Sequence, residues 1–356
     1  MKKSVCILSV LSIFLFGFVS CKTADKKTSD KDSTTENVVL DSEEELNIVY
    51  PHSFEEIEGQ TLSFNECWGY VSQGREYELN SSQPLTDVGY FSVGVDTYGE
   101  LSHIPQRKNL KKYKGRVHLV AVCDGKALSH FVLDPQYGLR PKIIAGLIEA
   151  SKDFDGLQID YETVPANDAK NYQDFLRELK AGLGDKILSV AISARSKDLQ
   201  NDVYDYRILS QIVDKILIMA YDEHWSTSAP GPIASTKWGL RVAKYAVSRI
   251  PEDKLIMGLP FYGRSWADTN PAKAWYFKSI NEIYEKNDCS EISRIDNVPY
   301  FTHSVTVNVT TYFEDELSLY TKCLNYSELG IKKIGFWRIG MEDPNFFKHL
   351  NINGEF

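Results

Sequence analysis

Eight short apolar runs, spread over nearly three hundred residues with helix-type segments between them, constrain this chain more than any other feature. They lie at 67–72, 88–95, 117–123, 156–162, 187–194, 216–221, 254–260 and 333–338. A strand with one wet face alternates polar and apolar residues, whereas a strand covered on both faces reads as a continuous apolar run, as in parallel sheets flanked by helices. Between the fourth and fifth runs, Tyr172, Phe175, Leu176, Leu179 and Leu183 share one stripe at helical spacing over about 167–183, and Gly184 is placed to end that helix. Further helices are expected at about 235–250, closed by Pro251, and at about 312–329, closed by Gly330. The chain is therefore α/β, and eight strand–helix alternations predict a (β/α)8 TIM barrel. The interval between strands seven and eight is too long for one helix. A small α+β insertion is expected at about 265–310, with a strand at 305–309.

The N-terminus carries a separate signal. Lys2 and Lys3 precede an apolar run at 5–19 that ends Phe18-Val19-Ser20-Cys21. A charged start, a short apolar stretch and a small residue before the break describe a secretory signal over 1–20. The run is shorter than the roughly 20 residues a membrane span needs. Cys21 resembles the lipidated cysteine of a bacterial lipobox, although Phe18 stands where Leu is usual. No Asp follows Cys21, which by resemblance to Gram-negative sorting implies an exported protein anchored in the outer membrane, touching the membrane through that lipid only. Polar residues dominate to about Glu45 and cannot offset ordering entropy, so 21–60 reads as a flexible linker and 61–356 as the folded domain.

Composition narrows the partners. The net charge is −9 with no basic stripe, which argues against nucleic acid. A monomer is expected. The 20 Tyr and 17 Phe suit sugar-stacking surfaces, though a large core accounts for most of them. Cys67 and Cys123 border or sit within apolar strands as core thiols, while Cys289 and Cys323 could pair in an oxidising compartment. No Cys or His spacing suggests a metal, and no cofactor is expected.

The fourth run reads Phe154-Asp155-Gly156-Leu157-Gln158-Ile159-Asp160-Tyr161-Glu162. Alternation puts Gln158, Asp160 and Glu162 on one face, with successive Cα atoms about 6.5–7 Å apart. Two carboxyls and an amide on a buried strand are costly unless they face a wet cavity. At the C-terminal end of a barrel strand, such a pair suits acid–base chemistry: burial and a neighbouring carboxylate hold one acid protonated. Glu162, last on the strand and longest in reach, is the candidate acid. Asp160 would supply repulsion and orient a reacting group, and Asp155 would share hydrogen bonds with Asp160 if its backbone bends.

The same run resembles the DxxDxDxE signature of glycoside hydrolase family 18, the chitinase-like family, matching at Asp155, Asp160 and Glu162 and departing at Gln158. Met219-Ala220-Tyr221-Asp222 resembles the family's MxYD, the segment 258–266 its seventh-strand end, and Gly335-Phe336-Trp337-Arg338 its eighth. The style is closest to the spore-cortex and cell-wall hydrolase branch. The resemblance implies a retaining glycoside hydrolase acting on β-linked N-acetylglucosamine polymers such as peptidoglycan or chitin. In it the substrate's own acetamido oxygen is the nucleophile, Glu162 is the general acid and base, and Asp155, Asp160 and Tyr221 assist. It further implies that Trp337 floors the cleaved sugar's subsite, with Asp222, Gln158, Tyr70, Tyr262 and Arg264 binding substrate. Trp225, next to His224, would line the leaving-group side. The rival readings are a glycan-binding, lectin-like lipoprotein without turnover and a purely structural surface barrel.

Overall fold

The computed structural model describes residues 46–353 apart from 268–269, 288 and 305–307. The signal, the lipobox and Cys21 lie outside the described residues. Eight parallel strands are present: β1 (Glu66–Ser72), β2 (Asp87–Val95), β3 (Arg116–Val122), β4 (Gly156–Asp160), β5 (Ile187–Ser193), β6 (Lys215–Met219), β7 (Leu255–Pro260) and β8 (Lys333–Trp337). Each pairs with the next, and β8 pairs with β1, closing the barrel. All eight expected runs are strands, shifted by at most two residues at an end. The structure is a (β/α)8 barrel.

How outward packing fixes the inward face is visible in β4 and the residue after it. Leu157, Ile159 and Tyr161 point outward, yet all three are fully buried. Helix Ala169–Leu183 covers them with Tyr172, Phe175, Leu176, Leu179 and Leu183, and the Tyr161 ring stacks on Phe175 at 5.6 Å. Each such apolar side chain contributes roughly 1.5–3 kcal/mol. A one-residue slip would push Gln158 and Asp160 under that helix, so the packing fixes them inward. Inside the barrel, Trp68, Tyr70, Val120, Ala191, Leu217 and Ile256 fill the space. Two glycines make the close approaches possible: a side chain at Gly89 would overlap the Tyr70 ring at 2.5 Å, and one at Gly258 would meet the Ile218 carbonyl at 2.7 Å.

Several expectations need correction. Ordered structure begins before residue 61: the Val49 N–H and carbonyl exchange hydrogen bonds with the Asn325 side-chain amide at 3.0 and 2.9 Å, the Pro51 carbonyl accepts from the Asn297 amide, and Ile57 is buried. These residues lie against helix Glu316–Glu328 and the neighbouring insertion rather than in a linker. The insertion spans a five-stranded antiparallel sheet with one helix, Phe277–Lys286. Of the expected strand at 305–309, residues 305–307 lie outside the described residues, while 308–309 open the strand Asn308–Tyr312, which pairs with Val298–Ser304. Cys323 is a buried free thiol, so no bridge to Cys289 forms; Cys67 and Cys123 are buried thiols as expected.

Candidate active site

The two ends of the barrel treat their carboxylates in opposite ways. At the N-terminal end Asp87 is fully buried, but Arg116 grips it with two bonds of 2.7 Å and His118 adds one of 2.8 Å. Burial pushes its carboxyl up, and the bonds from His118 and Arg116 outweigh burial, holding it below the usual range. At the C-terminal end the opposite holds. Asp160 Oδ1 is buried without a hydrogen-bond partner, and burial, then the charges of Glu162 and Asp124, push this carboxyl well above its ordinary value.

Glu162 follows β4 by two residues, lines the cavity described below and reaches solvent. Desolvation raises its pKa first, and the carboxylates of Asp222 and Asp124 add to the shift. The repulsion on Glu162 thus comes from Asp222 and Asp124, whereas Asp160 was the expected source. Asp160 and Glu162 together favour holding a proton, the state a general acid requires.

These groups line a cavity of about 260 Å³. Trp337, at the end of β8, forms its floor and is wedged by Phe91 at 4.6 Å and Tyr70 at 5.4 Å between ring centroids. Tyr221 stands against Tyr262 edge to face at 6.3 Å. The chain turns at Asp222 with φ 59°, a left-handed conformation that Asp tolerates better than most residues, and Tyr262 and Arg264 both bond its carboxylate, Arg264 at 3.0 Å. Arg264 comes from the insertion's first strand, Gly263–Ala267, so the insertion supplies one wall. Its Nε is a second buried atom without a partner in the same cavity. Two orphaned polar groups of opposite kind facing one apolar-floored hollow are what a polar ligand would satisfy.

A family model described as Glycosyl hydrolases family 18 matches residues 67–342. The chain belongs to glycosyl hydrolases family 18. It is 26% identical over 302 residues to a cortical fragment-lytic enzyme of Bacillus subtilis, covering 77% of this chain and 69% of that protein. It is 28% identical over 232 residues to a cortical fragment-lytic enzyme of Bacillus anthracis, covering 60% and 54%. Across the first curated relatives it matches, the chain spans about half of their length. The crystal structure of the Bacillus cereus spore cortex-lytic enzyme SleL superposes with a TM-score of 0.74 at 24% identity, covering 84% of this chain and 77% of that one.

Of the residues the family signature singles out, Asp160, Glu162, Tyr221, Asp222, Tyr70, Tyr262, Arg264 and Trp337 converge on this family 18 cavity. Asp155 does not. It precedes β4 at the opposite end, about 16 Å of strand from Asp160 at 3.3 Å per residue, and its carboxylate accepts from Val117 N at 2.8 Å. Gln158 is fully buried, accepts from the Tyr70 hydroxyl at 2.6 Å and donates to Ser189 at 3.2 Å. It braces Tyr70 from below and does not reach the cavity. Trp225 lies outside the hollow at the rim, 53% exposed. Trp266 and Ala272 of the insertion tether its loop through Trp225 O and Ser226 O. His224 is turned away toward the Pro232 carbonyl at 2.8 Å, with Gly231 leaving room for its ring. Phe91, Met341 and Asp124 escaped the sequence reading; strand parity was the signal that could have found the last.

Proposed function

We propose that this chain hydrolyses β-linked polymers containing N-acetylglucosamine with retention of configuration, using the substrate's acetamido group as nucleophile. One observation carries the reading: Asp160 Oδ1, buried and without a partner, faces a cavity floored by Trp337. A sugar seated on that indole would bring its 2-acetamido group to Asp160 and Tyr221. The acetamido oxygen attacks C1 while Glu162 gives its proton to the departing glycosidic oxygen. An oxazolinium ion forms, with Asp160 accepting from the acetamido N–H and balancing the developing charge. Glu162, now ionised, takes a proton from water, which opens the ring and returns the β-configured product. Peptidoglycan is the preferred polymer, in keeping with the cortical fragment-lytic relatives. The exported chain acts from a lipid on Cys21.

The test pairs product analysis with an inhibitor. Incubation with peptidoglycan and with chitooligosaccharides should release new reducing ends on N-acetylated sugars, and a thiazoline analogue of N-acetylglucosamine should inhibit competitively. Turnover insensitive to the thiazoline would refute the acetamido nucleophile. Binding without turnover would mean a lectin-like protein instead.

A further inference from the structure

One short stretch of this acidic chain concentrates positive charge. Arg107, Lys108, Lys111, Lys112, Lys114 and Arg116 fall within 107–116, and no acid lies between Glu100 and Asp124, in a chain of net charge −9. Arg116 is committed to Asp87. The four lysines are exposed, and none has a carboxylate partner among the described residues. By contrast, Lys142, Lys170 and Lys348 are paired with Glu100, Asp174 and Glu316.

Lys111, Lys112 and Lys114 line a groove of about 910 Å³ together with Tyr77, Leu79 and Pro84. Tyr77 is 76% exposed, and the one acid lining the groove, Glu76, is bonded to the Tyr90 hydroxyl. Tyr113 donates to the Leu85 carbonyl at 3.1 Å, and the Arg116 N–H to that of Thr86 at 3.0 Å. These lysines therefore sit where β2 and β3 begin, at the end of the barrel opposite the cavity. The described chain enters from that same end. The Pro51 carbonyl accepts from Asn297, which also bonds Thr321, while Val49 meets Asn325 one turn further along helix Glu316–Glu328. That helix leads into β8, so the path from Pro51 back through Val49 runs toward the beginnings of the strands.

We propose that the lysine face of 107–116 docks on an anionic phospholipid surface and turns the cavity away from the membrane. Phosphate headgroups supply the negative charge that these lysines lack within the protein, and an exposed tyrosine beside them suits the headgroup layer. A lipid on Cys21 would hold the chain near a membrane without setting which end of the barrel faces it. The basic face sets it, at the end from which the chain enters. Docking itself requires neither that lipid nor turnover.

Residues 22–356 keep the whole barrel and insertion and omit the apolar run 5–19, which would enter a bilayer by itself. They are sedimented with vesicles of phosphatidylcholine alone and of phosphatidylcholine mixed with phosphatidylglycerol. Binding to the anionic vesicles should be at least roughly tenfold tighter and should weaken as salt is added. Lys111→Gln/Lys112→Gln/Lys114→Gln should weaken it by roughly 10²-fold, at roughly fivefold per lysine. Lys142→Gln/Lys170→Gln/Lys348→Gln removes the same charge elsewhere and should stay within about threefold of wild type. No binding, equal binding to both kinds of vesicle, or equal losses in the two triple variants would overturn the proposal. Retention on soluble polyphosphate but not on vesicles would overturn it in favour of a polyanion ligand. Docking is read without turnover, so its failure leaves the hydrolase reading untouched.

Discussion

Asp160→Asn should make the protein more stable and less active together. In the wild type a buried carboxylate oxygen lacks a partner. An unsatisfied buried group costs about 1–3 kcal/mol. If Asp160 and Glu162 were both ionised about 6.5 Å apart, their repulsion at an effective dielectric of 20 would add roughly 2.5 kcal/mol, an upper bound that a shared proton relieves. The amide removes the charge but not every polar atom, so a net gain of about 1–2 kcal/mol at pH 7 is expected, or roughly 2–6 °C in Tm. The sign with pH is fixed. Asp160's folded pKa lies above the unfolded value near 4, so its penalty is absent below pH 4 and grows as pH rises toward the folded value. The advantage of Asp160→Asn should follow that course in thermal melts from pH 3 to 8. kcat/KM should fall by about 10²–10³, the cost of losing one group that stabilises the transition state. A mutant less stable than wild type at pH 7, or a gain independent of pH, would refute the view that Asp160 is held ready at the expense of the fold.

Asp222→Asn lowers the pKa of Glu162 by removing a neighbouring charge, so the alkaline limb of kcat/KM, where the acid is lost, should move to lower pH by roughly half to one pH unit. Trp337→Ala should raise KM by roughly tenfold to thirtyfold, equivalent to about 1.4–2 kcal/mol of lost stacking, read in steady-state kinetics. At the other end of the barrel, Asp87→Ala strands Arg116 and His118 and should cost about 3 kcal/mol in denaturant unfolding. Asp87 is depressed, so its contribution exists above about pH 4 and is lost as pH falls through the folded value; the mutant should lack that acid-side loss.

The barrel was legible because both faces of each strand are covered, which leaves the unbroken apolar signature seen at 216–221 and 255–260. Helices Lys126–Leu133 and Arg140–Ala150 were not read, since both are short and each buries few residues, Ser129, Val132 and Leu133 in the first and Ile143, Ile144 and Leu147 in the second. The insertion was located but not resolved into strands, because its antiparallel sheet has exposed faces and short hairpins. In the site, motif spacing found the residues at the strand ends. It misplaced Asp155 because a motif counts residues while a strand rises about 3.3 Å for each, carrying that position to the far end of the barrel. Gln158 was misjudged for a related reason: parity says which side chains face inward but not how deep, and Tyr70 and Ser189 claim its amide below the floor.

Glu162→Gln offers the most direct test, with binding and turnover of one N-acetylated oligosaccharide measured on the same preparation. The side chain keeps its shape and loses the proton it must deliver. Affinity within about threefold of wild type, with kcat down by roughly 10³ or more, is expected. Near-native turnover would mean that the proton comes from elsewhere and that the carboxyl pair at the end of β4 does not perform the chemistry.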